Sequence, residues 1–313
     1  MIATVTLNAS IDKAYRLTRP LAPGTVMRVG TCIDNAGGKG LNAARAVATC
    51  GEDVLATGFV GGNTGRLLCE LLDADGIPHD FVEVAHETRC CVNVLDPDGA
   101  STEFLEPGRP VDEDDIDAIC GKVAQIAARA DAVTFNGSAP SGTDAAIYRR
   151  LVEIVRAAGK PAILDASGKF LVQGMRGRPS MIKPNIDEIE AILGRRPASI
   201  DDVIGAAREV HVRAGIEAVV VSLGGEGAIM ACADGVFRGR APKIEVVNPV
   251  GSGDTMVGAY AVAMARGMDA ASRLTFAMGC ASANCLSAST GRFDMEAAWE
   301  LGARTAVERL GSV

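Results

Sequence analysis

The stretch AVTFNGSAPSGTDAAIYRRLVEIVRAAGKPAILD, residues 132–165, sets two short apolar runs on either side of a helical segment. Ala132–Asn136 and Ala162–Asp165 read as strands, and Ala145–Ala158 as the helix between them. Outward from this unit the alternation continues in both directions. Toward the C-terminus, Met181–Lys183 and Ala218–Ser222 are further strands, with Ile186–Leu193 and Asp201–Ala214 as helices. Toward the N-terminus, Ala3–Leu7 and Val54–Val60 read as strands, and Gly40–Cys50, Thr64–Ala74 and Asp112–Ala130 as helices. Leu67, Leu68, Leu71 and Leu72 share one helical face, as do Ile116, Ile119, Val123 and Ile126. This repetition predicts an α/β chain with a doubly wound, mostly parallel sheet covered by helices on both faces.

Two stretches interrupt the pattern. Val26–Ile33 and Thr88–Leu105 have no helical periodicity. Within the second, Arg89–Leu95 and Ser101–Leu105 flank Asp96-Pro97-Asp98-Gly99, whose Pro and Gly mark a hairpin turn. Strands inserted in an α/β domain serve as a lid or an oligomer interface, so a small β lid is expected from about residues 10–33 and 87–105. No repeat, low-complexity tract or linker divides the chain, and residues 1–313 read as one domain.

Composition narrows the function classes. Hydrophobic residues make up 48% and charged residues 22%, as in a globular enzyme, and aromatic residues only 4%, so Ala, Val, Ile and Leu must build the core. A formal net charge of −8 argues against nucleic acid or an anionic membrane as partner. An anionic substrate would need a locally positive pocket. The nine cysteines contain no CxxC pair and fit free thiols in a reducing cytoplasm. The N-terminus carries no secretory pattern, and no run reaches the ~20 apolar residues of a membrane span.

Near the C-terminus, Asn248-Pro249-Val250-Gly251-Ser252-Gly253-Asp254-Thr255 opens a helical run, Met256–Arg266, closed by Gly267. Glycines before a helix let consecutive N–H groups point at an anion, and the helix dipole adds to the attraction. A carboxylate at the mouth of such a site, Asp254, can accept a proton from an attacking hydroxyl. The same residues also suit a plain turn with Asp254 as cap. A P-loop and the protein-kinase motifs are missing. Gly38-Lys39-Gly40-Leu41-Asn42-Ala43 matches a degenerate dinucleotide fingerprint, but Thr31–Ala36 before it reads poorly as a buried strand and no acid follows at the required distance. That loop again opens a helix after glycines, with Lys39 as a positive charge and Asn42 as donor and acceptor one turn in, which suits a polyol or a phosphate.

Asn8-Ala9-Ser10-Ile11-Asp12, GGKGLN at 37–42, Lys183-Pro184-Asn185, Ser222-Leu223-Gly224 and Gly251-Ser252-Gly253-Asp254 resemble, in order and spacing, the PfkB (ribokinase-like) carbohydrate kinases. The resemblance runs from Thr4 to about Gly291. TLNASID (6–12), ETRCCVNVL (87–95), TEFLEPG (102–108) and VVNPVGSGDTMVG (246–258) resemble the 1-phosphofructokinase and tagatose-6-phosphate kinase group. Ala9 stands where that group usually has Pro, and Ser252 where many members have Ala.

The resemblance implies a ribokinase-like fold and phosphoryl transfer from MgATP to a sugar phosphate. It implies that Asp254 is the base and Gly251, Ser252 and Gly253 the anion hole. Asp12, Gly38, Lys39, Asn42, Arg89, Asn93 and Ser138 would contact the sugar or its phosphate. Lys183, Asn185, Ser222, Gly224, Gly227 and Asn284 would face the nucleotide, and Asn185 with Glu188 would organise Mg²⁺ through water. A homodimer clasped by its lids is expected. A kinase of an unphosphorylated sugar or nucleoside, and a sensor without catalysis, are the alternatives. His79, His86 and His211 have no metal spacing and read as surface residues, and Trp299 as packing.

Overall fold

The chain begins with β1 (Ile2–Thr6), which runs into β2 (Ser10–Leu17) and β3 (Val29–Gly37) before α1 (Lys39–Thr49), β4 (Val54–Val60), α2 (Gly62–Ala74) and a short β5 (Val82–Glu83). The hairpin of β6 (Arg89–Leu95) and β7 (Ser101–Leu105) follows, then α3 (Glu113–Ala127), β8 (Ala132–Asn136), α4 (Ile147–Ala157), β9 (Ala162–Asp165), α5 (Gly168–Gly174) and β10 (Met181–Ile182). After α6 (Ile186–Leu193), α7 (Ile200–Ala214) and β11 (Ala218–Ser222), the strands β12 (Ala228–Cys232) and β13 (Gly235–Arg240) precede α8 (Ser252–Ala265), α9 (Ala270–Cys285), α10 (Met295–Arg304) and β14 (Ala306–Gly311). This computed structural model describes all of residues 1–313.

Ten strands form one sheet in the order β14-β13-β12-β11-β10-β9-β8-β1-β4-β5. From β5 to β11 every neighbouring pair is parallel. The antiparallel edge of β12, β13 and β14 is not part of the sequence reading. β12 and β13 follow β11 with no α-helix between them, β14 comes only after three helices, and the last two runs carry Gly and Arg, so no βα signal marks them. β1 lies between β8 and β4, where the strand order reverses. In open α/β sheets such a reversal leaves a crevice beyond the carboxyl ends of the strands.

The sheet buries both faces. One face packs Leu41, Leu68, Val257, Tyr260, Ala277 and Leu301 from α1, α2, α8, α9 and α10. The other packs α3, α4 and α7 through residues such as Ile119, Tyr148, Leu151, Val203 and Val210. α8 is buried without a break from Asp254 to Ala263, as expected of a helix that is apolar nearly all round. Trp299 is half exposed and packs on Phe276, with ring centroids 4.9 Å apart, so it serves the packing of α10 on α9. His86 is exposed, whereas His79 and His211 are only partly so.

Four strands form a second sheet in the order β3-β2-β6-β7, which is the lid. β2 pairs antiparallel with β3 and parallel with β6, and β6 with β7 makes the expected hairpin. The first lid segment extends to Gly37, beyond the expected limit at residue 33. Thr31–Ala36 is therefore strand after all. It reads poorly as a buried one because Thr31–Ile33 and Asn35 are exposed, and only Ala36 and Gly37 are buried. The glycine loop that follows thus leaves a lid strand, not the first strand of the main sheet.

α1 and α8 approach so closely that a Cβ on Gly258 would lie 2.6 Å from Ala43 O. Helix propensity favours Ala over Gly by about 0.5–1 kcal/mol. Overpacking against a backbone atom costs about 1–3 kcal/mol, so the clash should win. We expect Gly258→Ala to lower the unfolding free energy in urea titrations; a stabilised variant would show that α1 can shift without cost.

Candidate active site

Carboxyl ends of the central strands and the N-termini of α1, α6 and α8 converge on one crevice. Asp165 ends β9 and is 2% exposed. Lys183, just after β10, places Nζ 3.2 Å from Asp165 Oδ1, and Lys39, at the start of α1, places Nζ 3.8 Å from Asp165 Oδ2. Lys183 is nearly buried, whereas Lys39 is 46% exposed and so presents its ammonium to the crevice. A buried carboxylate needs such partners, because leaving it unpaired in the interior is costly. The field of Asp165, then of Asp254 and Glu188, raises the pKa of Lys39 and keeps it charged.

Asp254 lies in the first turn of α8 and is 7% exposed. Gly251 caps the helix with a left-handed backbone, φ 74°, a conformation that favours glycine. The N–H groups of Ser252 and Gly253 lie in that first turn, where an anion is favoured. A Cβ on Gly253 would sit 3.3 Å from Lys183 Nζ, so the ammonium lies beside the loop. Asn42, one turn into α1, donates from Nδ2 to Asp254 Oδ2 at 2.8 Å. Burial, and then the charge of Asp165, push the pKa of Asp254 up to about 6, against the pull of Lys39, the Asn42 hydrogen bond and Lys183. A carboxylate poised there can take a proton near neutral pH. A mere cap would be exposed and would accept from its own helix; Asp254 instead accepts from another helix, 212 residues away in sequence.

The lid supplies a second set of groups. Register pairs Ser10 with Arg89, Asp12 with Cys91 and Ala14 with Asn93, so Asp12, Arg89 and Asn93 share one lid face. Burial raises the pKa of Asp12, opposed by a 2.6 Å hydrogen bond from Ser10 Oγ and by the charges of Arg89 and Arg45. Gly37 leaves room for that carboxylate, since a Cβ there would lie 2.0 Å from Asp12 Cγ. Arg89, expected to contact the sugar or its phosphate, spends two of its nitrogens on the protein itself. Its Nε donates to Asn8 O at 3.1 Å and its Nη1 to Glu106 O at 2.6 Å. Nη2 has no such partner, so Arg89 anchors the hinge and keeps one nitrogen free. Asn93 accepts from Ser101 Oγ at 2.6 Å across the hairpin. Ser138 Oγ accepts from Asn8 Nδ2 at 3.0 Å, and Gly38, φ 120°, accepts at its carbonyl from the N–H groups of Leu41 and Asn42.

On the far side, a cleft of about 320 Å³ is lined by Asn185, Asp187, Arg196, Ser222 and Leu223 among others. Gly224 and Gly227 shape the turn after β11 with positive φ. Asn284 does not reach this cleft. It is fully buried, donates to Val250 O at 3.0 Å and accepts from Gly291 N and Thr255 Oγ1, so its place is behind the anion loop.

Asn185 and Glu188 form a reciprocal capping box at the start of α6, each side chain accepting from the other's backbone N–H at 2.9 Å. Burial raises the pKa of Glu188, and Asp165 adds to the rise. One carboxylate oxygen of Glu188 remains outside the box, and no three His, Cys, Asp or Glu side chains gather into a metal cage. An oxygen donor set this sparse fits Mg²⁺ that keeps its waters and rests mainly on substrate phosphates. Sequence reasoning missed Asp165, Asn8 and Arg45. A carboxylate ending a parallel strand was a usable signal for Asp165, and Asn8 opens the motif at 8–12; Arg45 gave none.

Residues 5–298 match the pfkB family carbohydrate kinases, and the chain belongs to that family. Its fold superimposes on phosphofructokinase-2 from Escherichia coli in complex with fructose-6-phosphate, at 28% identity and a TM-score of 0.90, covering 97% of this chain and 98% of that one. A possible 1-phosphofructokinase from Thermotoga maritima is 26% identical, with a TM-score of 0.89 and 99% of both chains covered. Ribokinase from Arabidopsis thaliana, complexed with ribose and ATP, is 24% identical with a TM-score of 0.79 over 96% of this chain and 98% of that one, and shows the ribokinase-like fold.

A carboxyl whose pKa rises on folding, from 3.8 to about 6, holds its proton more tightly in the folded chain than in the unfolded one. Ionised Asp254 therefore costs stability, and the cost grows as pH rises through that window and is complete above it. Asp254→Asn keeps an acceptor for Asn42 and loses the charge. Above pH ~6 the Asn variant should be more stable than the parent by about 1–3 kcal/mol, shrinking toward pH ~4. Urea melts across that range check it; a difference independent of pH would refute the burial of a charged Asp254.

Proposed function

We propose that the protein transfers the γ-phosphoryl group of ATP to a hydroxyl of a ketohexose monophosphate, giving a bisphosphate and ADP. The observation that carries this reading is Asp254, a buried carboxylate held by Asn42 at the N-terminus of α8 with Lys39 and Lys183 beside it. Asp254 Oδ2 is occupied by the Asn42 N–H, so Oδ1 takes the proton as the sugar oxygen bonds to phosphorus and the bond to ADP breaks. The anion-hole N–H groups of 251–253 and the Lys39 ammonium would neutralise charge on the transferred group, where positioning and electrostatics supply most of the acceleration. Mg²⁺, held by Glu188 and Asn185 through water, would screen the phosphates. Asp12, Asn42 and Gly38 would orient the sugar, while Arg89, Asn93 and Ser138 reach its phosphate end. Ser222, Gly224 and Gly227 would border the nucleotide. Arg89 beside Asp12 on one lid face supports a substrate that already carries a phosphate. The nine thiols are all free, which supports a reducing cytoplasm, and no helix is long and apolar enough to cross a membrane.

The lid supports self-association as well. Its edges β3 and β7 are open, and Val29, Ile33, Phe104 and Leu105 expose 40–65% of their surface. Open edges and exposed apolar side chains ask for cover, and a second lid would supply both. Light scattering should give a dimer at micromolar concentration; a monomer there would refute the clasp.

An ADP-release assay over fructose 1-phosphate, tagatose 6-phosphate, fructose 6-phosphate and the free sugars tests the reaction. One of the phosphosugars should exceed every free sugar in kcat/KM. Asp254→Asn should lower kcat by at least about a hundredfold with ATP binding retained. Arg89→Ala should raise KM for the phosphosugar about tenfold or more, with little change for ATP. Preference for an unphosphorylated sugar would overturn the substrate class, and full activity of Asp254→Asn would overturn the base.

A further inference from the structure

Arg45 is a buried cation outside the cluster of ionised groups that faces the crevice. It lies on α1, one turn beyond Asn42, and its side chain is 6% exposed. All three of its nitrogens are engaged, each with a different part of the fold. Nε donates to Asp75 Oδ2 at 2.7 Å, and Asp75, which closes α2, also pairs with Arg292. Nη2 donates to Ala36 O at 2.6 Å, at the foot of lid strand β3. Nη1 donates to Asn42 Oδ1 at 3.3 Å. The opposite end of the same Asn42 amide donates to Asp254.

An amide has an acceptor end and a donor end, and which end faces which neighbour depends on its partners. With a guanidinium on one side and a carboxylate on the other, only one orientation satisfies both. Turned over, the amide would set its oxygen against the Asp254 carboxylate and its NH₂ against the guanidinium. Arg45 also lies close enough to Asp12, on the lid, for its charge to lower that residue's pKa against burial.

We infer that Arg45 is a positioning residue, which orients the Asn42 amide toward Asp254 and ties that orientation to the foot of lid strand β3. The inference rests on the assignment of Asp254 as base. Lid strand β3, which pairs with the β2 strand that carries Asp12, and the helix that steadies the base are then held by one planar fork. A lysine cannot replace it, because an ammonium on a flexible stem does not hold three acceptors in a plane.

The competing role is structural: a buried ion pair that merely joins α1 to α2. The two roles separate in the titration of Asp254. Lys39 and Asn42 from α1, Asp165 from β9 and Lys183 after β10 face that carboxyl, with Glu188 of α6 facing Lys39 and Asp165. Exchange of Arg45 leaves all of these in the chain; of the three contacts that it breaks, to Asp75, Ala36 and Asn42, only the last touches a group that bonds Asp254. The ¹³C carboxyl resonance of Asp254, assigned by its loss in Asp254→Asn, reports the midpoint without any need for turnover. In Arg45→Lys and Arg45→Met the midpoint should rise by about half a pH unit or more as the Asn42 hydrogen bond loosens. The acid limb of kcat/KM should move with it, and kcat should fall about tenfold with ATP affinity unchanged. Asp75→Asn, which breaks the ion pair and leaves the two other Arg45 hydrogen bonds, should reduce stability and leave the midpoint in place. If Arg45→Met fails to fold, Arg45→Lys decides. A folded Arg45→Lys with the parent midpoint, or an Asp75→Asn midpoint that moves as far as Arg45→Met, overturns the inference. Should the parent turn over no sugar phosphate, the functional proposal fails while the resonance titration still decides the role of Arg45.

Discussion

The hydrogen bond from Asn42 to Asp254 can form only because two helices from opposite halves of the chain touch. Gly258 permits that contact, since any larger residue would press on the backbone of α1. Once α1 and α8 are in contact, their N-termini both open on the crevice above β1, β8 and β9. Two glycine loops, each ordinary as a turn, then become two walls of one crevice. The continuous burial of α8 follows from the same geometry, because a helix pressed between α1, α9 and the sheet has no face left for water.

Charge in the crevice is arranged around Asp165. It stands between Lys39 and Lys183 and faces Asp254, which it discourages from ionising. The chain is acidic overall, at −8, yet the cations that matter sit on loop ends where few residues are needed. Burial of a charge in low dielectric costs several kcal/mol unless it is paired, which is why both lysines stay close to Asp165. Asp254 has weaker compensation, one amide and two more distant ammonium groups. That difference leaves Asp254 as the carboxyl poised to change its protonation near neutral pH.

The lid is attached where β1 ends. Only Leu7, Asn8 and Ala9 separate the central strand of the sheet from β2. Asn8 holds this hinge: its Nδ2 donates to Pro107 O and to Ser138 Oγ, and its carbonyl accepts from Arg89. Lid strands from two distant segments therefore meet the body at one junction. Arg45 adds a second tether at Ala36, from the side of Asp254.

Much of this was legible in one dimension. The βα alternation, the two glycine loops and the lid hairpin at 89–105 all depend on local features: side-chain period, the positive φ that favours glycine, and turn residues. The antiparallel edge of β12–β14 and the strand at 29–37 were not legible, since an exposed or edge strand lacks the apolar run that marks a buried one. Nor were the actual partners of the polar side chains. Arg89 reads as a contact to the sugar or its phosphate and has two of its nitrogens on backbone carbonyls; Asn284 reads as a nucleotide contact and is buried behind the Gly251–Gly253 loop; Arg45, with nothing to mark it in the sequence, joins the lid, Asn42 and Asp75. The sequence by itself determined which backbone turns could form and which groups could react. Tertiary structure alone decided which groups meet and how deeply each is buried, because hydrogen bonding and desolvation depend on neighbours that the chain brings from hundreds of residues away.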